Sequence, residues 1–365
     1  MTDRNERTHL SVQTGTPKEK FNLWGYDRGA YLERSLYREM RRKVPVIDAA
    51  ITKIRRLVGA FRIESGDTAL DRRIAKFTGE VRTGAFGTGM DEFIGTFLEE
   101  MLTNGTAVGE IVVKDGHIAA LYNTNLDDIV FREEGPLDVK ICRIRNGEAE
   151  ECRYPQLLLA SALNPEPGKS TGVSMLRGLP FISDTLMKIY ESVGNNWERL
   201  GNVRFAVSCA QDGSIYAPDR ARMIADEWQK AMRKDSVSDF IAVGDVSIKA
   251  IGADISLPDS EVPVRQLLEQ IVAKLGIPPF LLGFSWSSTE RMSSQQADIL
   301  TSELEYYRRM LNPVIKKVVK VWMALENAGD RSFEIIWDDI TMQDESQHAA
   351  AELSLARAEK IRSEI

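Results

Sequence analysis

The chain has 365 residues, of which 43% are hydrophobic and 28% are charged. This composition excludes a disordered or collagen-like chain, and at roughly 150 residues per domain the length predicts about two domains. Lys and Arg together number 47 against 54 Asp and Glu, which gives a formal net charge of −7. Because proteins that bind DNA tightly normally carry a basic excess, the whole-chain charge argues against tight DNA binding.

Hydropathy predicts neither a membrane span nor a secretion signal. No apolar run approaches the ~18 residues that a membrane-spanning helix needs. The first ten residues are polar and charged, whereas a signal peptide needs an apolar core. We therefore expect a soluble protein that stays intracellular when it is made.

Cysteine and histidine indicate no metal or disulfide chemistry. Three cysteines without a pairing pattern predict reduced thiols that act as small apolar side chains. The histidines lie far apart and match no ligand spacing. These residues are Cys142, Cys152, Cys209, His9, His117 and His348.

Residues 1–43 are polar, carry a formal charge of +4 and end in Arg41-Arg42-Lys43. This composition is typical of an arm rather than part of a core. A contact with nucleic acid is one reading of its charge. A solvated extension, or a segment that lies on a neighbouring subunit, is the favoured reading.

Residues 44–160 combine helix and strand patterns and predict an α+β region. Apolar residues at helical spacing predict helices over residues 45–58 and 91–103, and Asn104-Gly105 ends the second. Lys114-Asp115-Gly116 and Asn146-Gly147 predict hairpin turns. The predicted strands are Thr106–Val113, His117–Tyr122, Ile129–Arg132 and Val139–Arg145.

After a loop at Asn164–Gly168, the pattern predicts two amphipathic helices that flank a small β-α-β unit. The first helix is Arg177–Leu200 and the second runs from Ser260 to Gly276. The elements expected between them are a strand at Val203–Cys209, a helix at Pro218–Lys234, and strands at Phe240–Val243 and Val246–Ile251.

The last third of the chain predicts a long helix that follows a polar loop. Ile277-Pro278-Pro279 cannot continue a helix, and Gly283–Ser294 is polar and rich in serine. The long helix is predicted from Ser294 to about Glu326, with a kink at Pro313. A strand at Phe333–Trp337 and an Ala-rich acidic helix at about Glu345–Glu364 complete the prediction.

No catalytic constellation emerges from the motifs. Gly84–Gly89 lacks the lysine of a phosphate-binding loop and is predicted to be a flexible loop. Ser174 lacks the following glycine of a nucleophile elbow. The acidic group of Asp338, Asp339, Asp344 and Glu345 has the side chains that hold Mg²⁺, but a turn and a helix N-terminus explain it more simply. We therefore predict no catalytic, cofactor-binding or metal-binding residue.

The order of these elements, with several local motifs, resembles the portal proteins (head–tail connectors) of tailed bacteriophages and prophages. The most specific motif is Leu275-Gly276-Ile277-Pro278-Pro279-Phe280-Leu281-Leu282-Gly283, followed by the polar loop and the long helix. The other matching motifs are Gly172–Arg177, Leu311-Asn312-Pro313 and Asp338-Asp339-Ile340. The resemblance covers about residues 44–345.

The resemblance implies an α+β portal-like ring subunit, with about twelve subunits in a closed ring. Its expected parts are an N-terminal arm (1–43), an α+β wing (44–176), stem helix 1 (177–200), a β-α-β clip (201–255), stem helix 2 (256–276), a tunnel loop region (277–293), a long kinked helix with a strand that belong to the wing (294–340), and a short crown-like C-terminal helix (341–365).

The resemblance also implies roles for named residues. The tunnel loop facing DNA is expected to comprise Ser285, Trp286, Ser287, Ser288, Thr289, Glu290, Arg291, Met292 and Ser293. Stem packing is expected to use Leu186, Ile189, Val193, Trp197, Leu267, Leu268, Ile271 and Leu275, and Pro313 is the expected helix kink. Trp286 either anchors its own loop, plugs into a neighbour or touches DNA. Glu290 and Arg291 are expected to pair between adjacent loops.

The implied partners are further copies of the chain, double-stranded DNA in the channel, the large terminase subunit, a head–tail adaptor, and the major capsid and scaffold proteins. No membrane and no cofactor are implied, and the implied locations are the virion and, during assembly, the host cytoplasm. Two alternatives remain. One is a Mg²⁺-dependent nuclease using Asp338 and Asp339, and the other is a head scaffold or adaptor that forms no ring.

The distribution of charge along the chain suits DNA that moves through a channel better than DNA that is held tightly. The formal charge is −5 for residues 44–176, −1 for 177–329 and −5 for 330–365. The regions that the resemblance assigns to the stem, clip and tunnel loop are thus almost neutral. Because many phosphate contacts would hold DNA in place, a nearly neutral lining suits a channel through which DNA moves.

Overall fold

The structure of the chain is a computed structural model that describes residues 12–14, 28–135, 137–145, 147–201, 204–209, 222, 226, 246–251, 260–284 and 290–340. The chain divides into two compact units. We call the larger one, Met1–Ser183 with Leu267–Ile365, the body, and the smaller one, Asp184–Gln266, the insert. Helix and strand are mixed in the described chain, which confirms the mixed α and β class but not its portal-specific parts.

The described elements follow in chain order. The helices are α1 (Arg28–Lys43), α2 (Pro45–Leu57), α3 (Thr68–Glu80), α4 (Met90–Asn104), α5 (Pro180–Gly201), α6 (Glu261–Leu275) and α7 (Glu290–Leu325). The strands are β1 (Phe61–Glu64), β2 (Thr106–Lys114), β3 (His117–Asn123), β4 (Ile129–Gly135), β5 (Asp138–Arg145), β6 (Glu148–Glu151), β7 (Leu158–Ala162), β8 (Arg204–Cys209), β9 (Val246–Ile251) and β10 (Glu334–Trp337).

Helix α4 lies at the centre of the body. Phe93, Phe97 and Met101 recur every four residues and are completely buried, so one face of the helix carries much of the core. The helix ends as predicted at Gly105, which has a φ of 80°. A Cβ there would lie 2.5 Å from the carbonyl oxygen of Gly172, so only glycine fits.

The body also contains two three-stranded antiparallel sheets, in the orders β3-β2-β7 and β4-β5-β6. Asp115 and Gly116 both adopt positive φ, at 53° and 81°, which is the backbone of a tight two-residue hairpin turn. Gly147 has a φ of 83° between β5 and β6. Both hairpins that the sequence predicts are therefore confirmed.

A third pairing joins distant parts of the chain. Strands β1 and β10 run antiparallel, with Phe61 opposite Trp337 and Glu64 opposite Glu334. The sequence predicts β10, at Phe333–Trp337, but does not predict β1. Helix α3 also lies outside the sequence prediction, although Asp67 caps it by accepting hydrogen bonds from the amides of Ala69 and Leu70.

The description of residues 1–43 as an arm is wrong for residues 28–43. These residues form α1, whose Tyr37 and Met40 are buried in the body. Arg34 pairs with Asp127, and Arg41 pairs with Glu99 at 2.6 Å. Arg34 and Arg41 thus neutralise carboxylates outside α1, which composition alone does not reveal. Arg42 and Lys43 are exposed and pair with Glu39 within the helix.

Residues 12–14 are also fastened to the body. The buried carboxylate of Glu110 accepts hydrogen bonds from the amides of Gln13 and Thr14, both at 3.0 Å, and from the Thr14 hydroxyl at 2.7 Å. The Thr124 hydroxyl donates to that of Thr14 at 2.9 Å. Arg143 donates to the Gln13 carbonyl at 2.9 Å. These bonds compensate the burial of a charge within the central strand β2.

In the insert, β8 and β9 form an antiparallel pair in which Arg204 lies opposite Ile251. The two strands match the predictions for Val203–Cys209 and Val246–Ile251. Apart from residues 222 and 226, which are helical, the predicted helix at 218–234 lies outside the described residues, as does the strand at 240–243. The predicted C-terminal helix also lies outside them.

Helix α5 begins at Pro180, three residues later than predicted. Gly178, with a φ of 92°, interrupts the helical backbone, and Pro180 suits the first helical turn. Among the described helices, none is both long and apolar enough to cross a membrane.

The attachment at Glu110 yields a stability prediction. Thr14→Val keeps the shape of the side chain but removes the hydroxyl that donates to Glu110. We expect the free energy of unfolding to fall by about 1–3 kcal/mol, because a buried carboxylate loses a hydrogen bond. Urea denaturation measures the change, and Thr68→Val, at an exposed position, serves as the control. Equal stability of the two variants would contradict the account.

Candidate ring and channel surfaces

The motif Leu275–Gly283 forms a compact turn after α6. Gly276 has a φ of 66°, and Pro278 and Pro279 cannot continue the helix. A short 3-10 helix at Pro279–Leu282 follows and ends at Gly283, whose φ is 83°. The Phe284 amide donates to the Pro279 carbonyl at 3.0 Å. The motif therefore determines where the chain leaves α6 to enter residues 285–289.

The predicted tunnel loop is shorter than expected. Residues 285–289, including Trp286, lie outside the described residues. Helix α7 already begins at Glu290, so Glu290, Arg291, Met292 and Ser293 are helical. Met292 is exposed, and the Glu290–Arg291 pairing between copies stays a prediction.

The rest of α7 is held in the body by one apolar stripe. This stripe consists of the buried residues Leu300, Leu304, Tyr307, Leu311, Val314, Val318 and Trp322. Pro313 lies inside the helix on its exposed side. It removes one backbone hydrogen bond, and the kink there stays a prediction.

Arg308 interrupts this stripe and is buried, with only 4% of its surface exposed. Its guanidinium donates to the Val58 carbonyl from Nε at 2.9 Å and from Nη2 at 2.7 Å. Nη2 also donates to the Asp338 carbonyl at 2.6 Å, and Nη1 donates to Glu305 at 2.8 Å. The guanidinium lies over the ring of Trp337, with 5.2 Å between the guanidinium carbon and the ring centroid.

The Arg308 clamp joins three elements that are far apart in sequence. Val58 follows α2, and Asp338 follows β10. The Asp338 amide donates to the Ala60 carbonyl at 3.0 Å. Gly59, with a φ of 79°, leaves room for the guanidinium, since a Cβ there would lie 3.2 Å from Nη2. The role of Arg308 was not predicted from the sequence. An arginine next to the apolar stripe of a helix is the feature that could have identified it.

The predicted stem residues divide into buried and exposed sets. Leu268, Ile271 and Leu275 of α6 are buried, and Leu267 is partly buried. On α5, Leu186 is buried, Ile189 and Val193 are half-buried, and Trp197 is 63% exposed. At 3.6 residues per turn, Trp197 lies only about 20° around the helix from Leu186. The apolar stripe of α5 therefore runs from a buried end to an exposed end.

Two of the four acidic residues that the sequence suggested as Mg²⁺ ligands, Asp338 and Asp339, lie in the described part of the chain. In the described part, no group of three or more His, Cys, Asp or Glu side chains lies close enough to hold a metal ion. The backbone amide of Asp338 donates to Ala60, and its carbonyl accepts from Arg308. Burial raises the pKa of Asp91, and the nearby Asp338 carboxylate adds to that rise. Asp344 and Glu345 lie outside the described residues.

Cys142 and Cys152 lie in the body's interior, and His117 contacts a carboxylate. Cys142 and Cys152 are buried and unbridged, and burial raises the pKa of both thiols. Nδ1 of His117 lies 2.7 Å from a carboxylate oxygen of Glu326. The side chains of Cys209, His9 and His348 lie outside the described residues.

Comparisons with known proteins find similarity in structure but not in sequence. No protein-family profile and no curated protein matches the chain. A chain from the virion of a native gene transfer agent (GTA) particle matches with a TM-score of 0.63 at 16% identity, over 94% of this chain and 92% of that chain. A chain from the neck of the native GTA particle, computed with C12 symmetry, matches at 0.62 and 15% identity, over 91% and 89%.

The chain has the fold of a component of the GTA particle neck. At 15–16% identity this similarity shows a shared fold. A crystal structure of a HK97 family phage portal protein from Corynebacterium diphtheriae also aligns, at 11% identity over 82% of this chain and 95% of that chain. The TM-score of that alignment is 0.46.

We expect substitution of Arg308 to destabilise the body strongly, whereas substitution of its neighbour should not. Arg308→Met leaves the carbonyls of Val58 and Asp338 without their donors, so we expect the free energy of unfolding to fall by about 2–5 kcal/mol. The neighbouring Arg309 is exposed. The matched variant Arg309→Met should therefore change the free energy of unfolding by less than about 0.5 kcal/mol. Chemical denaturation of both variants measures the difference. If both lose the same stability, the clamp has no special role.

Proposed function

We propose that the chain is the subunit of a portal, a ring at one capsid vertex through which double-stranded DNA is packaged and ejected. The observation that carries the proposal is the fold shared with a chain of the GTA particle neck over more than nine-tenths of the sequence. The order of the motifs before α5, after α6 and inside α7 supports the same proposal independently, because it rests on residue identities and not on the shape of the fold.

The exposed end of the α5 stripe supports ring assembly. Tyr190 and Trp197 are 46% and 63% exposed, although the stripe that they continue is buried at Leu186. Exposed apolar residues in line with a buried stripe are typical of a surface that another protein covers. In a closed ring the next copy of the chain covers this surface. The C12 symmetry of the similar neck supports about twelve copies.

The proposed parts of the subunit follow from its two units. The insert contains the ends of α5 and α6 together with β8 and β9, which suits a stem that carries a clip. The body supplies the wing, and residues 285–289 form the tunnel loop between the 3-10 helix and α7. We propose that the clip docks the large terminase subunit and later a head–tail adaptor, while the wing contacts capsid and scaffold proteins. The locations are then the virion and, during assembly, the host cytoplasm.

The proposed role involves no catalysis by this chain. The formal charge of −1 over residues 177–329 suits a channel lining over which DNA slides without being held. The nuclease alternative would require carboxylates that converge on a metal ion. Asp338 and Asp339 gain no third ligand among the described residues, so no structural observation favours that alternative.

A variant pair on α5 tests ring assembly. Trp197→Ser removes an exposed apolar side chain from the stripe, and we expect it to raise the concentration at which rings form by at least about tenfold. Met187→Ser is the control, because Met187 is 37% exposed but lies about 100° around the helix from Leu186. Native mass spectrometry over a concentration series measures assembly. Equal effects of the two substitutions would contradict a specific contact along the stripe.

A further inference from the structure

The charges of α7 are separated along its length. Between Met292 and Tyr307 the helix has three acidic residues and no basic one, whereas between Arg308 and Leu325 it has five basic residues and no acidic one. The formal charge of −1 over residues 177–329 therefore hides a helix whose second half is strongly basic. The helix dipole does not account for this pattern, because it acts within the last turn and α7 has no basic residue there.

Three of these five basic residues lie on the exposed side of α7, and we call them the basic face. They are Arg309, Lys316 and Lys320, and none of them forms an ion pair with a carboxylate of the described chain. The other two face the body, because Arg308 forms the clamp and Lys317 donates to a backbone carbonyl at 2.6 Å. At 3.6 residues per turn, the basic face spans about 40° around the helix and about 16 Å along it.

The acidic side chains at the two ends of the basic face do not neutralise it. Glu305 accepts a hydrogen bond from Arg308 at 2.8 Å. At the other end, Glu326 lies 3.3 Å from Arg73. Asp330 shares a cavity with the end of the basic face but forms no ion pair with it. The three positive charges are therefore available to an anionic partner.

The side chains around the basic face favour a phosphate backbone over an acidic protein. No large apolar side chain of α7 is exposed between Leu300 and Leu325. A protein interface normally has apolar or aromatic anchors at its centre and few lysines there, whereas a phosphate backbone is bound through Lys and Arg contacts alone. Arg309 is also held in position. Its guanidinium carbon lies 6.0 Å from the ring centroid of Tyr306, whose hydroxyl donates to Asn164 at 2.7 Å.

We propose that the basic face binds the phosphate backbone of double-stranded DNA that lies along the body. The inference rests on the proposed portal function, because the three cations of one copy bind DNA weakly and a ring repeats them in every copy. Glu290 and Arg309 are separated by about 28 Å of helix, so the basic face is distinct from the proposed tunnel loop. DNA then slides through a nearly neutral channel and is held at the body.

Salt-dependent DNA binding by assembled rings tests the proposal. With a short fluorescent duplex, Lys316→Gln/Lys320→Gln should weaken binding at least about tenfold, because two phosphate contacts are lost in every copy that touches the duplex. For each such copy, the slope of log K against log salt concentration should become less steep by about 2. Fluorescence anisotropy over a salt series measures both quantities.

The control is Lys53→Gln/Lys274→Gln, which changes the net charge by the same amount. Both lysines are exposed and lie on other helices, α2 and α6. We expect this variant to bind DNA like the wild type, and we expect both variants to keep the wild-type melting temperature and ring assembly. Equal losses of DNA binding in the two variants, or an unchanged salt slope for Lys316→Gln/Lys320→Gln, overturn the proposal.

Polyglutamate distinguishes DNA from an acidic protein as the partner. Duplex DNA carries one charge per about 1.7 Å and an extended polypeptide at most one per about 3.3 Å, so wild-type rings should bind the duplex more tightly than polyglutamate of equal total charge. Tighter binding of polyglutamate through the basic face overturns the inference in favour of an acidic protein. Rings whose DNA binding ignores the basic face overturn the inference alone. Wild-type chains that never form rings overturn the portal function and the inference together.

Discussion

The buried guanidinium of Arg308 is the interaction on which the arrangement of the body depends. It holds α7 against the end of α2 through Val58 and against the end of β10 through Asp338. A charge buried to this extent is stable only when its donors are satisfied, and here two backbone carbonyls and Glu305 satisfy them. Because this contact sets the position of α7, it also sets where the chain emerges from residues 285–289. The proposed tunnel loop therefore depends on a contact that lies well inside the body.

The sequence predicts the elements whose pattern is local. Helices α2, α4, α6 and α7 follow from apolar spacing, and the hairpins follow from turn residues such as Asp115-Gly116. The pairing of β1 with β10 and the attachment of Thr14 to Glu110 depend on contacts between residues far apart in sequence, which no local pattern encodes. The N-terminal region shows the same limit. Its basic residues look solvated in the sequence, whereas in the structure Arg34 and Arg41 pair with carboxylates of the body.

The sequence also predicts part of the candidate surfaces and misses other parts. The motif at Leu275–Gly283 identifies the turn that leads into residues 285–289, and the α5 stripe identifies a surface with an exposed apolar end. The start of α7 at Glu290 was missed because a serine-rich stretch resembles a loop. The role of Arg308 was not predicted because a charged residue inside a helix usually faces water, whereas Arg308 is buried.

The central claim is that this chain closes into a ring around a channel for DNA. Cryo-electron microscopy of the purified wild-type chain at high protein concentration tests it most directly. The account predicts closed rings of about twelve copies, with a central opening wide enough for a DNA duplex and the α5 stripe buried between neighbours. Monomers at every concentration, or an assembly in which Trp197 faces solvent and no channel runs through the centre, would contradict it.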